Sequence, residues 1–76
     1  MYEAYVNKGI SLDNLKKYVE AFKCYDKAIE INPNRSEAYN NKGIDFYLLK
    51  QYDEAIKYLN KAIEINSNNL NSLYIK

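Results

Sequence analysis

Apolar and small residues recur along this chain in steps of three and four. Tyr5, Gly9 and Leu12 share one face of a first helix expected over about 2–15. Tyr18, Ala21, Phe22, Tyr25, Ala28 and Ile29 share a face of a second, over about 18–31. The same alternation returns with Tyr39, Gly43 and Phe46, then with Tyr52, Ala55, Ile56, Leu59, Ala62 and Ile63. Steps of three and four are the signature of amphipathic helices, and no segment sustains the strict alternation of a strand. Pro33 cannot continue a helix and pushes Asn32 towards extended backbone, so it closes the second helix. Asn34, three residues before Glu37, suits a helix-start cap with an acidic partner. In the second unit Ser67 replaces the proline, and Asn66, Asn68 and Asn69 still predict a turn after the fourth helix.

The pattern is a repeat. Shifted by 34 residues, positions 3–34 match positions 37–68 at 20 of 32 places, and "DKAIEINPN" returns as "NKAIEINSN". Each unit is therefore one helical pair that cannot bury its own apolar face and needs a copy beside it. Gly9 and Gly43 stand mid-helix, where glycine costs about 1 kcal/mol against alanine. The repeated cost predicts close helix approach, with Ala21 and Ala55 opposite these glycines and Tyr5, Tyr39, Tyr25 and Leu59 filling the space between layers.

At 76 residues the chain forms one domain, short enough to bury only about 60% of its unfolded surface. Eleven basic and ten acidic residues leave a net charge of +1. That gives no field suited to nucleic acid or an anionic membrane. No apolar run reaches the roughly 20 residues of a membrane span, and the N-terminus lacks the basic and apolar regions of a signal peptide. The single cysteine, Cys24, excludes an intrachain disulfide and fits a reducing, cytoplasmic setting. Cys24 is expected to face away from the core stripe or to lie at its edge.

The chemistry of catalysis is missing. There is no histidine for a triad, an imidazole base or a metal site. One cysteine cannot build a thiolate zinc site, and two glycines 34 apart make no phosphate loop. The carboxylates Glu3, Asp13, Glu37 and Asp45 read as solvated helix surface. Lys23, Lys27, Lys57 and Lys61 fall three residues from Glu20, Glu30, Glu54 and Glu64, as ordinary surface pairs. The chain is expected to be neither an enzyme nor a holder of any cofactor or metal.

A 34-residue helical pair with these positions resembles the tetratricopeptide repeat. Counting each unit from Tyr2 and Ser36, the family's aromatic fourth position is Tyr5 and Tyr39, and its eighth-position glycine is Gly9 and Gly43. Its alanines are Ala21, Ala55, Ala28 and Ala62, its twenty-fourth-position large residue is Tyr25 and Leu59, and its proline is Pro33. Departures are Ser67 for the proline and Lys8 and Lys42 where leucine is usual. The resemblance implies an all-α solenoid of antiparallel helix–turn–helix repeats with right-handed superhelical stacking. Repeat one would span 2–35 and repeat two 36–69. Residues 70–76 match the opening of a third unit, read either as a partial cap or as the edge of a longer array.

The resemblance also implies a non-catalytic protein–protein interaction scaffold. A peptide or helix of a partner protein would lie in the concave groove formed by the first helices. Carried over by position, the groove is Glu3, Val6, Asn7, Ile10, Asp13 and Asn14 with Glu37, Asn40, Asn41, Ile44, Tyr47 and Leu48. Asparagine amides both donate to and accept from a peptide backbone. Ile10 and Ile44 either contact the partner or complete packing between neighbouring first helices. The clamp that grips acidic chaperone tails needs basic and amide residues where Val6 and Ile10 stand, so that subtype is not expected. The alternative activity is homo-oligomerisation through uncapped terminal helices, with Leu59, Ile63, Leu70, Leu73 and Tyr74 at stake.

Overall fold

The computed structural model describes the backbone of residues 1–75 and the side chains of residues 1–66. Four helices follow in order: α1 (Tyr2–Asn14), α2 (Tyr18–Ile31), α3 (Ser36–Leu48) and α4 (Tyr52–Ile75). There is no strand among the described residues. α1 pairs with α2, α3 pairs with α4, and the two pairs stack through α2 against α3, with α1 beside α3.

The turns within the pairs are twins. Lys16 and Lys50, 34 residues apart, both take left-handed backbone, with φ of 61° and 64°. In the first, the Lys16 N–H donates to the Asp13 carbonyl and the Lys17 N–H to that of Leu12, each at 2.8 Å. In the second, Lys50 donates to Tyr47 and Gln51 to Phe46, each at 2.9 Å. This is the Schellman closure, which satisfies the orphan carbonyls of a helix end. Glycine usually holds its left-handed position, and a residue with a Cβ costs about 1–2 kcal/mol there. Lys50→Gly is therefore expected to raise stability by roughly 0.5–1 kcal/mol, or about 3–6 °C in Tm, after the extra chain entropy of glycine is subtracted. A thermal melt checks this, and a fall in Tm would contradict it.

Between the pairs, Pro33 ends α2 as expected. Asn32 is extended, and its side-chain oxygen accepts the Asn34 N–H at 3.2 Å. Asn34 is not the cap of α3. Arg35 occupies that position and makes no side-chain cap bond. The amide of Ala38 donates instead to the Tyr2 hydroxyl, at 3.0 Å. A residue at the start of α1 thus caps the third turn position of α3.

The turn expected at Asn66–Asn69 is absent, because α4 continues to Ile75. Pro33 lacks an N–H and clashes with the preceding turn, whereas Ser67 does neither. Asparagine in a helix is only weakly unfavourable, by less than about 1 kcal/mol per residue.

The core contains Tyr2, Val6, Ala21, Tyr25, Ala28 and Ala38, with Tyr5, Leu12 and Ile29 packed against it. The glycines meet large residues rather than alanines. A Cβ on Gly9 would stand 2.5 Å from Tyr25 Cε1, and one on Gly43 would stand 2.8 Å from Leu59 Cγ. The reason is that Tyr25 lies completely buried across α1, so its ring needs the space that the missing side chain leaves. Cys24 is buried outside that core cluster, which fits the edge of the core stripe and not a position turned away from it. Phe22 stacks on Phe46 with ring centroids 4.6 Å apart, tying α2 to α3.

Candidate partner-binding face and the polar junction beneath it

Glu3, Asn7, Ile10 and Asn14 form one stripe along α1, and Glu37, Asn41, Ile44 and Leu48 form the equivalent stripe along α3. Asn7 and Asn14 are exposed and Asn41 is half-buried. Ile10, Ile44 and Leu48 remain 40%, 42% and 52% exposed, so the packing of α1 beside α3 does not consume them. Asn40 is exposed next to this stripe. Tyr47 is exposed and meets Tyr52 edge-on at 5.5 Å. At the α2–α3 end, Arg35 bridges Glu3 at 2.5 Å and Glu37 at 2.7 Å, and lies over the Tyr2 ring. The Arg35 guanidinium holds the Glu3 carboxyl below its ordinary range, and Glu3 in turn raises Arg35.

Two of the residues expected in the groove lie elsewhere. Val6 is a buried member of the core and presents nothing to a partner. Asp13 is half-buried and turned inward, accepting the Tyr25 hydroxyl at 2.5 Å. Asp45, read as solvated surface, is 1% exposed. Asp13 of α1 is the charged group that acts on it most directly. Burial, helped by Asp13, pushes the Asp45 carboxyl up to about 8. Burial and Asp13 together also raise the Tyr25 phenol well above its usual value. Asp13 Oδ1 and Asp45 Oδ2 have no hydrogen-bond partner among the described residues.

A second, partly buried polar link joins α2, α3 and α4. The Lys42 ammonium binds Asp26 of α2, and Tyr58 of α4 at 3.3 Å. Burial lowers the lysine, yet those two hydrogen bonds carry it above its ordinary value. The sequence signalled this link by placing lysine where the resemblance expects leucine. Nothing signalled Asp45, whose equivalent in the first unit is Ser11.

Of the residues set aside for self-association, Leu59 is half-buried beneath Gly43 and Ile63 is 60% exposed. Leu70, Leu73 and Tyr74 lie outside the residues whose side chains are described. Among the described residues no cluster of three His, Cys, Asp or Glu side chains could hold a metal. No helix among them is long and apolar enough to cross a membrane.

Stacked antiparallel pairs with a 34-residue period define a helical-repeat solenoid. The family model for the tetratricopeptide repeat matches residues 2–35 and again 36–69, and the chain belongs to that family. Repeats of this family generally mediate protein–protein interaction and are generally non-catalytic. A crystal structure of MamA, which also contains these repeats, is similar with a TM-score of 0.88 and 30% sequence identity. The likeness covers 92% of this chain and 41% of that one, so the chain spans less than half of the MamA chain. No curated protein matches significantly.

Proposed function

We propose that the paired stripes on α1 and α3 form a docking groove for a peptide or helix of another protein. The observation that carries this reading is the exposure of Ile10, Ile44 and Leu48 on adjacent helices, in stripes that also hold Asn7, Asn14 and Asn41. Apolar side chains left open on neighbouring helices favour a partner that covers them. The amides of Asn7, Asn14 and Asn41 would fix its backbone. Glu3 and Glu37 are already engaged by Arg35 and contribute less. Val6 and Asp13 take no part for the reasons of burial given above.

The test is a peptide array probed with the purified chain, followed by titration of the best binder. Asn41→Ala is expected to weaken that binder roughly three- to tenfold, as loss of one amide pair to a backbone should. Unchanged affinity in Asn41→Ala and in Ile44→Ala would remove the groove from consideration. Acidic chaperone-tail peptides are expected to bind no better than scrambled controls, because Val6 and Ile10 supply no cation.

A further inference from the structure

The junction inside the molecule describes a second junction that its two ends can make. At the inner junction, α3 offers α2 a stripe of Ala38, Lys42 and Phe46. Ala38 is fully buried, Lys42 binds Asp26, and Phe46 stacks on Phe22. The repeat places the same stripe on α1 as Ala4, Lys8 and Leu12. There Ala4 and Lys8 are exposed, and Leu12 is half-buried. The receiving face of α2 carries Phe22, stacked on Phe46 of α3, in line with Tyr18 and Ile29, and all three are half-buried. Its counterparts on α4 are Tyr52, Ile56 and Ile63, which are 52%, 57% and 60% exposed. Each end thus bears one half of an interface whose complete form exists between them.

We propose that a second copy of this chain lays its α1 against α4 of the first, head to tail, as α3 lies against α2. Ala4 supplies the close approach, Leu12 meets Ile56 where Phe46 meets Phe22, and Lys8 meets Asn60 where Lys42 meets Asp26. The outer junction is weaker than the inner one for two readable reasons. It replaces an aromatic stack with an aliphatic contact, and it gives the lysine a neutral amide in place of a carboxylate. It buries the face of one helix pair only, which fits a reversible association rather than a permanent dimer. The contact is heterologous, with different surfaces on the two partners, so nothing closes it at two copies. The proposal does not rest on the groove, which uses the Glu3–Asn7–Ile10–Asn14 stripe on another side of α1.

The experiment is sedimentation velocity or light scattering on the chain over a hundredfold concentration range, with two substitutions at exposed positions. The average mass is expected to climb with concentration and pass that of a dimer without a plateau. Asn60→Asp recreates the inner lysine–carboxylate pair and is expected to shift the curve to roughly three- to tenfold lower concentration, an effect that salt reduces. Lys8→Glu is expected to shift it the other way, and Lys8→Glu with Asn60→Asp to weaken association beyond Lys8→Glu alone. A monomer at every concentration in both the original chain and Asn60→Asp would overturn the proposal. So would a plateau at the dimer, or association that ignores both substitutions. In those cases the α4 face belongs to a helix of another protein or to none.

Discussion

Raising the pH from about 5 to about 8 is expected to lower the Tm of this protein by at least about 10 °C, and Asp45→Asn to remove most of that fall. Burial, with Asp13 beside it, pushes the folded Asp45 carboxyl up to about 8 from an ordinary value of 3.8. Between those values the folded chain holds a proton that the unfolded chain releases. Stability therefore declines as pH rises through the window, by up to about 1.4 kcal/mol per pH unit, and levels off above it. For a domain of this size each kcal/mol corresponds to roughly 4–8 °C. Asparagine has nearly the shape of the neutral acid, keeps a donor for Asp13 and cannot ionise. Asp45→Asn should thus melt higher than the original chain at pH 8, and by a smaller margin at pH 5, where only the first part of the loss from 3.8 upward has accrued. The other shifted groups act outside this window. Glu3, held low by Arg35, gives stability that is lost only as pH falls below the carboxylate range. Lys42, held high, gives stability that is lost only above the lysine range. A Tm that is flat from pH 5 to 8 in the original chain would refute the buried proton, and so would an identical slope in Asp45→Asn.

Gly9→Ala is expected to destabilise by about 2 kcal/mol, a loss of roughly 10 °C. The sign is the opposite of the usual one, since alanine in mid-helix gains about 1 kcal/mol over glycine. Packing decides. The added methyl would lie 2.5, 2.8 and 2.9 Å from three carbons of the Tyr25 ring. That ring has no exposed surface, and its hydroxyl is tied to Asp13. It cannot swing aside without opening the core and breaking that bond. The coupling is measurable. Once Tyr25→Ala has removed the ring, adding Gly9→Ala should cost little or should stabilise. Equal costs of Gly9→Ala with and without the ring would show that the glycine serves some other purpose.

The helices were legible because their cause is local and repeated. Steps of three and four, a 34-residue echo and Pro33 give α1, α2 and α3 to within a residue, together with the stack, and leave open whether Ile10 and Ile44 are packed or exposed. What the sequence hid has two physical sources. One is turn chemistry without its usual residue: Lys16 and Lys50 hold a left-handed position where glycine would have announced it. The other is tertiary context. Asp45 looks like a surface residue on a helical wheel and is nonetheless 1% exposed in the folded chain. The helical pattern places an alanine opposite Gly9, yet the stack presents the Tyr25 ring there. Val6 was assigned to the groove by analogy of position, and packing took it into the core. At the far end the reverse holds: asparagines and a serine that could make a turn remain helical when proline is absent.

The hydroxyl of Tyr2 that caps Ala38 has a consequence for exchange with solvent. An amide in the first turn of a helix ordinarily frays and trades its hydrogen for deuterium within moments. The Ala38 amide is instead fully enclosed and bonded to a side chain 36 positions earlier. It cannot open unless α1 lifts from α3, so its exchange is set by undocking of the two pairs rather than by fraying of one helix end. A single backbone hydrogen thereby becomes a clock for the separation of the repeats.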